Sequence, residues 1–155
     1  MSTQHLPASV RTAARVLYAA TALAAAGAGA IVVDQAAGGG LAQRLRHTYP
    51  QRGADQIGMA ESSILTYLFT LAALGAALFA AMAWASRRGR RWARGTGSAA
   101  VVLGTALAVY NFGQPHPLVM TVAGVLPCAA GLSAVALLWT RESSSYFASA
   151  RTASA

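Results

Sequence analysis

The chain has 155 residues, with 12 Lys+Arg against 4 Asp+Glu, a formal net charge of +8 and a mean hydropathy of +0.46. Only 10% of residues are charged, against roughly a quarter in an ordinary soluble domain, while 55% are hydrophobic. That is too little charge to keep a compact soluble domain dispersed and too much apolar sequence for disorder, which leaves the bilayer as solvent.

Four apolar stretches follow one another. The first, about 16–34, carries no charge from Val16 to Val33 and closes at Asp34. Arg11 and Arg15 ahead of it, with Ala28-Gly29-Ala30 near its end, also fit a secretory signal peptide. The run is long for such a segment, and its Ala/Gly content suits helix packing, so a retained helix is expected. Gly38-Gly39-Gly40 then stops the chain and opens an outer loop over 38–55. Within it Leu41, Leu45 and Tyr49 recur at helical spacing, which predicts one or two turns lying in the interface, ended by Pro50.

The second stretch, about 60–85, is uncharged from Ser62 to Ala85, with Asp55 expected as its N-cap and Glu61 in its opening turns. An inner loop over 86–95 carries Arg87, Arg88, Arg90, Arg91 and Arg94. The third stretch, about 96–113, turns through Gln114-Pro115-His116-Pro117 into the fourth, about 118–140, which contains Pro127. That proline removes one helical hydrogen bond and crowds the carbonyl of Ala123, so a kink is expected there. The tail over 143–155 is small and polar apart from Tyr146-Phe147 and is expected to be loose.

At 1.5 Å per residue each stretch covers about 27–36 Å, enough for a hydrocarbon core. Only helices or closed barrels satisfy the backbone in lipid, and these runs lack the alternation of barrel strands. The expectation is one all-α integral membrane domain over 1–155, a four-helix antiparallel transmembrane bundle. With both termini cytoplasmic, nine arginines fall inside and only Arg44, Arg46 and Arg52 outside, the positive-inside bias. Trp84, Trp92, Trp139 and Tyr146 fall at the same inner interface.

Lipid gives no hydrophobic reward for helix association, so small residues must permit close approach. Candidate seams are Ala20/Ala24/Ala28, Ala72/Ala76/Ala80, Ala100/Gly104/Ala108 and Gly124/Cys128. Leu65, Leu68, Phe69, Leu78, Phe79 and Met82 then either face lipid or fill wider gaps.

Reactive chemistry is sparse. The cations are all Arg and sit in short segments between apolar runs, so no nucleic-acid partner is expected. Cys128 is the single cysteine, which excludes an intrachain disulfide or thiolate metal cage. No Asp, Glu, Arg or His falls in the central part of any span, which argues against a proton-coupled transporter. Thr66, Tyr67, Thr70, Thr105, Thr121 and Ser133 remain, hydroxyls that in such helices mostly bond their own i−4 carbonyl. On the outer side Asp34, His47, Asp55, Glu61 and His116 are a conceivable metal set without any tight ligand spacing, and no cofactor is expected. Tyr110, Asn111, Phe112 and Gln114 gather at the outer end of the third span, where they mark the water boundary or meet a lipid headgroup. The arginine run is expected to contact anionic lipid.

The helix pattern, the all-Arg inner loop and the closing Leu137-Leu138-Trp139 resemble the small four-helix inner-membrane proteins of high-GC bacteria, a group without an assigned activity. The resemblance implies a multi-pass inner-membrane location and no activity. Three roles follow from the residues. The first is a non-enzymatic protein acting by helix association, as an accessory or assembly subunit or with itself. The second is a small-molecule channel or transporter, and the third a lipid- or metal-binding module using the outer cluster.

Overall fold

The computed structural model describes residues 6–38, 40–114 and 118–152. Its elements are the helices α1 (Ala8–Ala36), α2 (Gly40–Thr48), α3 (Ala54–Arg87), α4 (Trp92–Phe112), α5 (Leu118–Leu138) and α6 (Arg141–Thr152). Among the described residues, α1, α3, α4 and α5 are long and apolar enough to cross a membrane.

Helix α1 begins well before the charge-free run. Its first turns are amphipathic: Val10, Ala13, Ala14 and Leu17 are buried while Arg11 and Arg15 are exposed. The interfacial turns appear as α2, with Leu41 and Leu45 buried and Arg44, Arg46 and His47 exposed. Tyr49, expected on the same stripe, lies just past the helix end. Its N–H donates to the Leu45 carbonyl (2.8 Å), and its ring sits 4.5 Å from the Arg52 guanidinium.

Helix α3 starts at Ala54, and its N-cap is Gly53 rather than Asp55. The Ile57 N–H donates to the Gly53 carbonyl (3.1 Å), which fixes that register and leaves Asp55 in the first turn. There its charge still complements the helix dipole. The helix closes at Gly89, whose φ of +65° lies in the left-handed region. The Arg90 N–H reaches back to the Ala85 carbonyl (2.9 Å) and the Gly89 N–H to Ser86 (3.1 Å). This left-handed cap compresses the inner loop to a tight turn. Helix α5 runs without a break through Pro127.

The tail expected to be loose is instead the helix α6. Phe147 is 1% exposed and joins the core beside Val10, Leu17, Met82 and Leu138. One well-placed aromatic anchors a segment that is otherwise small and polar.

Helix α1 packs most extensively on α5 and α3, α5 also packs on α4, and the α3–α4 contact is the slightest of these. Two buried clusters result: one centred on Leu17, Met82, Leu138 and Phe147, the other on Ile31, Leu41, Leu45, Ile57 and Met120. Phe79 and Met82 fill the first, while Leu65, Leu68 and Phe69 pack against the second, so these bulky residues of α3 fill gaps.

The tight helix approaches differ from the expected seams. A Cβ on Gly27 would lie 2.8 Å from the Ala123 Cβ, one on Gly97 would lie 2.7 Å from the Met82 methyl, and one on Gly131 would lie 2.6 Å from the Phe79 ring. Ala20 and Ala24 are buried as expected. At Gly104 and Gly124, by contrast, a Cβ would meet nothing within 4 Å. Their Cβ positions face open space, although α5 does reach α4 here, with the Cys128 Sγ 3.8 Å from the Gly104 carbonyl oxygen.

Candidate functional site

The outer acidic and imidazole residues do not assemble. His47 and Asp55 are exposed on α2 and in the first turn of α3, and His116 lies outside the described residues. Glu61 accepts a hydrogen bond from the Gln35 amide (3.2 Å), which ties the end of α1 to α3. Asp34 is half-buried, and its Oδ2 has no hydrogen-bond partner among the described residues. Among the described residues no group of three or more His, Cys, Asp and Glu comes together.

At the opposite end the arginines divide into two kinds. Arg87, Arg88, Arg90 and Arg91 are exposed, with the Arg88 and Arg90 guanidiniums 4.1 and 5.3 Å from the Trp84 ring. Arg94, expected to face lipid headgroups with them, turns inward instead. Its guanidinium donates to the Ser144 hydroxyl (2.9 Å) and lies 4.6 Å from the Trp139 ring and 5.4 Å from that of Phe147. Cation–π contact holds a partly desolvated guanidinium there.

The same end is knit by hydroxyls. The Tyr146 hydroxyl donates to the Arg87 carbonyl (3.1 Å), and burial pushes its proton affinity above the ordinary tyrosine value. The buried Ser143 hydroxyl lies 3.0 Å from that of Ser9 and 2.9 Å from the Leu137 carbonyl oxygen. The indole N–H of Trp139 donates to Ser98 (3.0 Å). Helix α6 is thus bonded to α1, α4 and the end of α3.

Between the two buried clusters lies a cavity of about 150 Å³. Ala24, Ala28 and Ile31 of α1, Gly75 and Phe79 of α3, Gly104 and Asn111 of α4, and Gly124, Pro127 and Cys128 of α5 are among its lining residues. A smaller space of about 30 Å³, which shares Leu68, Ala108, Asn111, Met120 and Gly124 with it, extends toward Phe112 and Thr121. The Ala100/Gly104/Ala108 series therefore lines the cavity, while Gly104 also meets Cys128 of α5. Sequence spacing shows that these positions are small; it does not show whether another helix comes up to them.

A different surface is formed by Ser62, Ser63, Thr66, Tyr67 and Thr70 of α3, which are exposed and line a shallow depression. Thr70 bonds the Thr66 carbonyl (2.7 Å) and Ser63 that of Met59 (2.8 Å). Thr105 and Ser133 likewise bond their i−4 carbonyls at 2.8 and 2.9 Å. Glu61 is level with Gln35, so Thr66 and Thr70 stand about 7–14 Å further along α3 at 1.5 Å per residue. Met59, Ser63, Thr66, Thr70, Ala73 and Ala77, all exposed, fall on one side of α3 at alternating four- and three-residue steps.

In comparison with known proteins, the chain matches no protein family, no curated sequence and no solved structure.

Proposed function

We propose that this chain is a multi-pass protein of a bacterial inner membrane, its four apolar helices antiparallel and both termini cytoplasmic, which acts by helix association and not by chemistry of its own. It serves as an accessory or assembly subunit, or pairs with itself. The observation that carries this reading is the outward side of α3. Hydroxyls of Thr66 and Tyr67 are exposed on α3, within the stretch that this reading surrounds with hydrocarbon. An unpaired hydroxyl is costly in such a medium, and a second helix against this stripe supplies its partners. The four- and three-residue steps match a left-handed helix pair, and Ala73 and Ala77 allow close approach.

The arginine turn supports the orientation by the positive-inside rule and supports contact with anionic lipid through Arg87, Arg88, Arg90 and Arg91. A transport path has less support, because the central cavity is apolar and lies between two buried clusters. Disulfide crosslinking of Thr66→Cys in a Cys128→Ser background, in native membranes, tests the association. A crosslinked species containing a second copy or a partner, weakened when Thr70 is replaced by Leu, is expected. A chain that stays monomeric in membranes and copurifies with nothing contradicts it.

A further inference from the structure

The central cavity has a shape and a polarity that its surroundings explain. Three helices each place a glycine on its wall: Gly75 on α3, Gly104 on α4 and Gly124 on α5. A Cβ at any of them would meet nothing within 4 Å, so no neighbouring atom requires a glycine there. Interiors normally close such voids, because lining atoms lose dispersion contacts across them. A cavity of this size lined by apolar side chains stays dry and accepts a benzene-sized apolar guest.

Its polarity is confined to one end. The wall is apolar from Phe79 up to Asn111, and the adjoining smaller space adds Thr121. The side chains of Asn111 and Thr121 make no hydrogen bond to other described residues. The other end is stopped by Phe79, whose ring is wedged against Gly131. The result is a slot, closed and apolar at the bottom, with a polar rim toward the α2 end and its weakest wall where α3 meets α4. A flexible hydrocarbon segment next to a polar head matches its apolar wall and its one-ended polarity.

We propose that this slot binds the ester-proximal segment of one phospholipid acyl chain from the leaflet at the α2 end, with the ester region held by Asn111 and Thr121 and the rest of the chain outside the slot. This inference rests on the membrane reading above but not on the association assigned to α3. An acyl chain inserted there restores the dispersion contacts that the glycines leave unmade, and it lies in the position of a structural side chain.

The test is native mass spectrometry of the full chain released from micelles containing phosphatidylethanolamine and phosphatidylglycerol. The wild-type chain is expected to keep one phospholipid through detergent exchange. The double variant Gly104→Leu/Gly124→Leu fills the slot and is expected to keep at least about tenfold less, a difference of about 1.4 kcal/mol, while melting no lower than wild type. Should that variant fail to fold, Asn111→Leu/Thr121→Val leaves the cavity walls in place and is expected to weaken retention as well. Retention that survives slot filling but is lost in Arg88→Ala/Arg90→Ala places the lipid at the arginine end and overturns the proposal. So does a wild-type chain that retains no phospholipid or that retains a free fatty acid or isoprenoid instead. A chain that is soluble without detergent contradicts the membrane reading itself, an outcome distinct from these.

Discussion

Gly27 and Ala123 bring α1 and α5 together more closely than any side chain at position 27 permits. A Cβ there would lie 2.8 Å from the Ala123 Cβ and 3.2 Å from the Ala123 carbonyl oxygen. That carbonyl is also the one that Pro127, four residues on, leaves without its helical donor. The largest helix interface in the molecule therefore turns on a glycine that faces a proline-modified stretch of backbone.

Gly27→Ala is expected to lower stability by about 1–3 kcal/mol, the usual cost of forcing extra volume into a packed contact. Gly29→Ala, on the same helix with nothing within 4 Å, is the control and is expected to be neutral or slightly stabilising. Thermal unfolding of both variants in one detergent separates the outcomes.

Docking of α6 depends on Phe147 and Arg94. Phe147→Ala empties a buried site, a change that typically costs about 3–5 kcal/mol, and is expected to release the helix. Arg94→Ala removes the contacts to Ser144, Trp139 and Phe147 and is expected to loosen it less completely. Arg91→Ala, at an exposed position, is expected to leave it in place. Hydrogen exchange over residues 141–152 reads all of these.

The Tyr146 hydroxyl gives this docking a pH dependence. In the docked state its pKa stands above the ordinary tyrosine value because burial disfavours the phenolate. The stabilisation is therefore complete below that ordinary value and is lost as pH rises through the raised one. Exchange protection of α6 is expected to fall in strongly alkaline buffer, and Tyr146→Phe, which cannot ionise, is expected to remove the effect.

Metal removal is expected to change nothing. His47 and Asp55 are exposed, and Glu61 is occupied by Gln35. Chelator treatment and His47→Ala should each change the unfolding free energy by no more than a neutral surface substitution does, about ±0.5 kcal/mol. A loss larger than that would point to an ion held with residues such as His116.

The four long apolar helices were legible as long uncharged runs, which Asp34, the arginine cluster and Pro115-His116-Pro117 divide in the sequence. Their ends were less so. Arg11 and Arg15 lie ahead of the charge-free run but inside α1, since both are exposed while Val10 and Leu17 are buried. Helix α6 was missed because a single aromatic pair among serines carries little periodic signal. Phe147 needed the whole arginine end around it before its role showed. The central slot was unreadable for a related reason. Gly104 and Gly124 have the spacing of a helix contact, and only the arrangement of four helices reveals open space beside them.

Substituted-cysteine accessibility tests the central claim most directly. In a Cys128→Ser background, His47→Cys on α2 and Arg91→Cys in the tight turn are exposed to a membrane-impermeant maleimide in intact cells. Labelling of position 47 at once, and of position 91 only after permeabilisation, is the predicted result. Equal labelling of both from outside, or the reverse pattern, would contradict it.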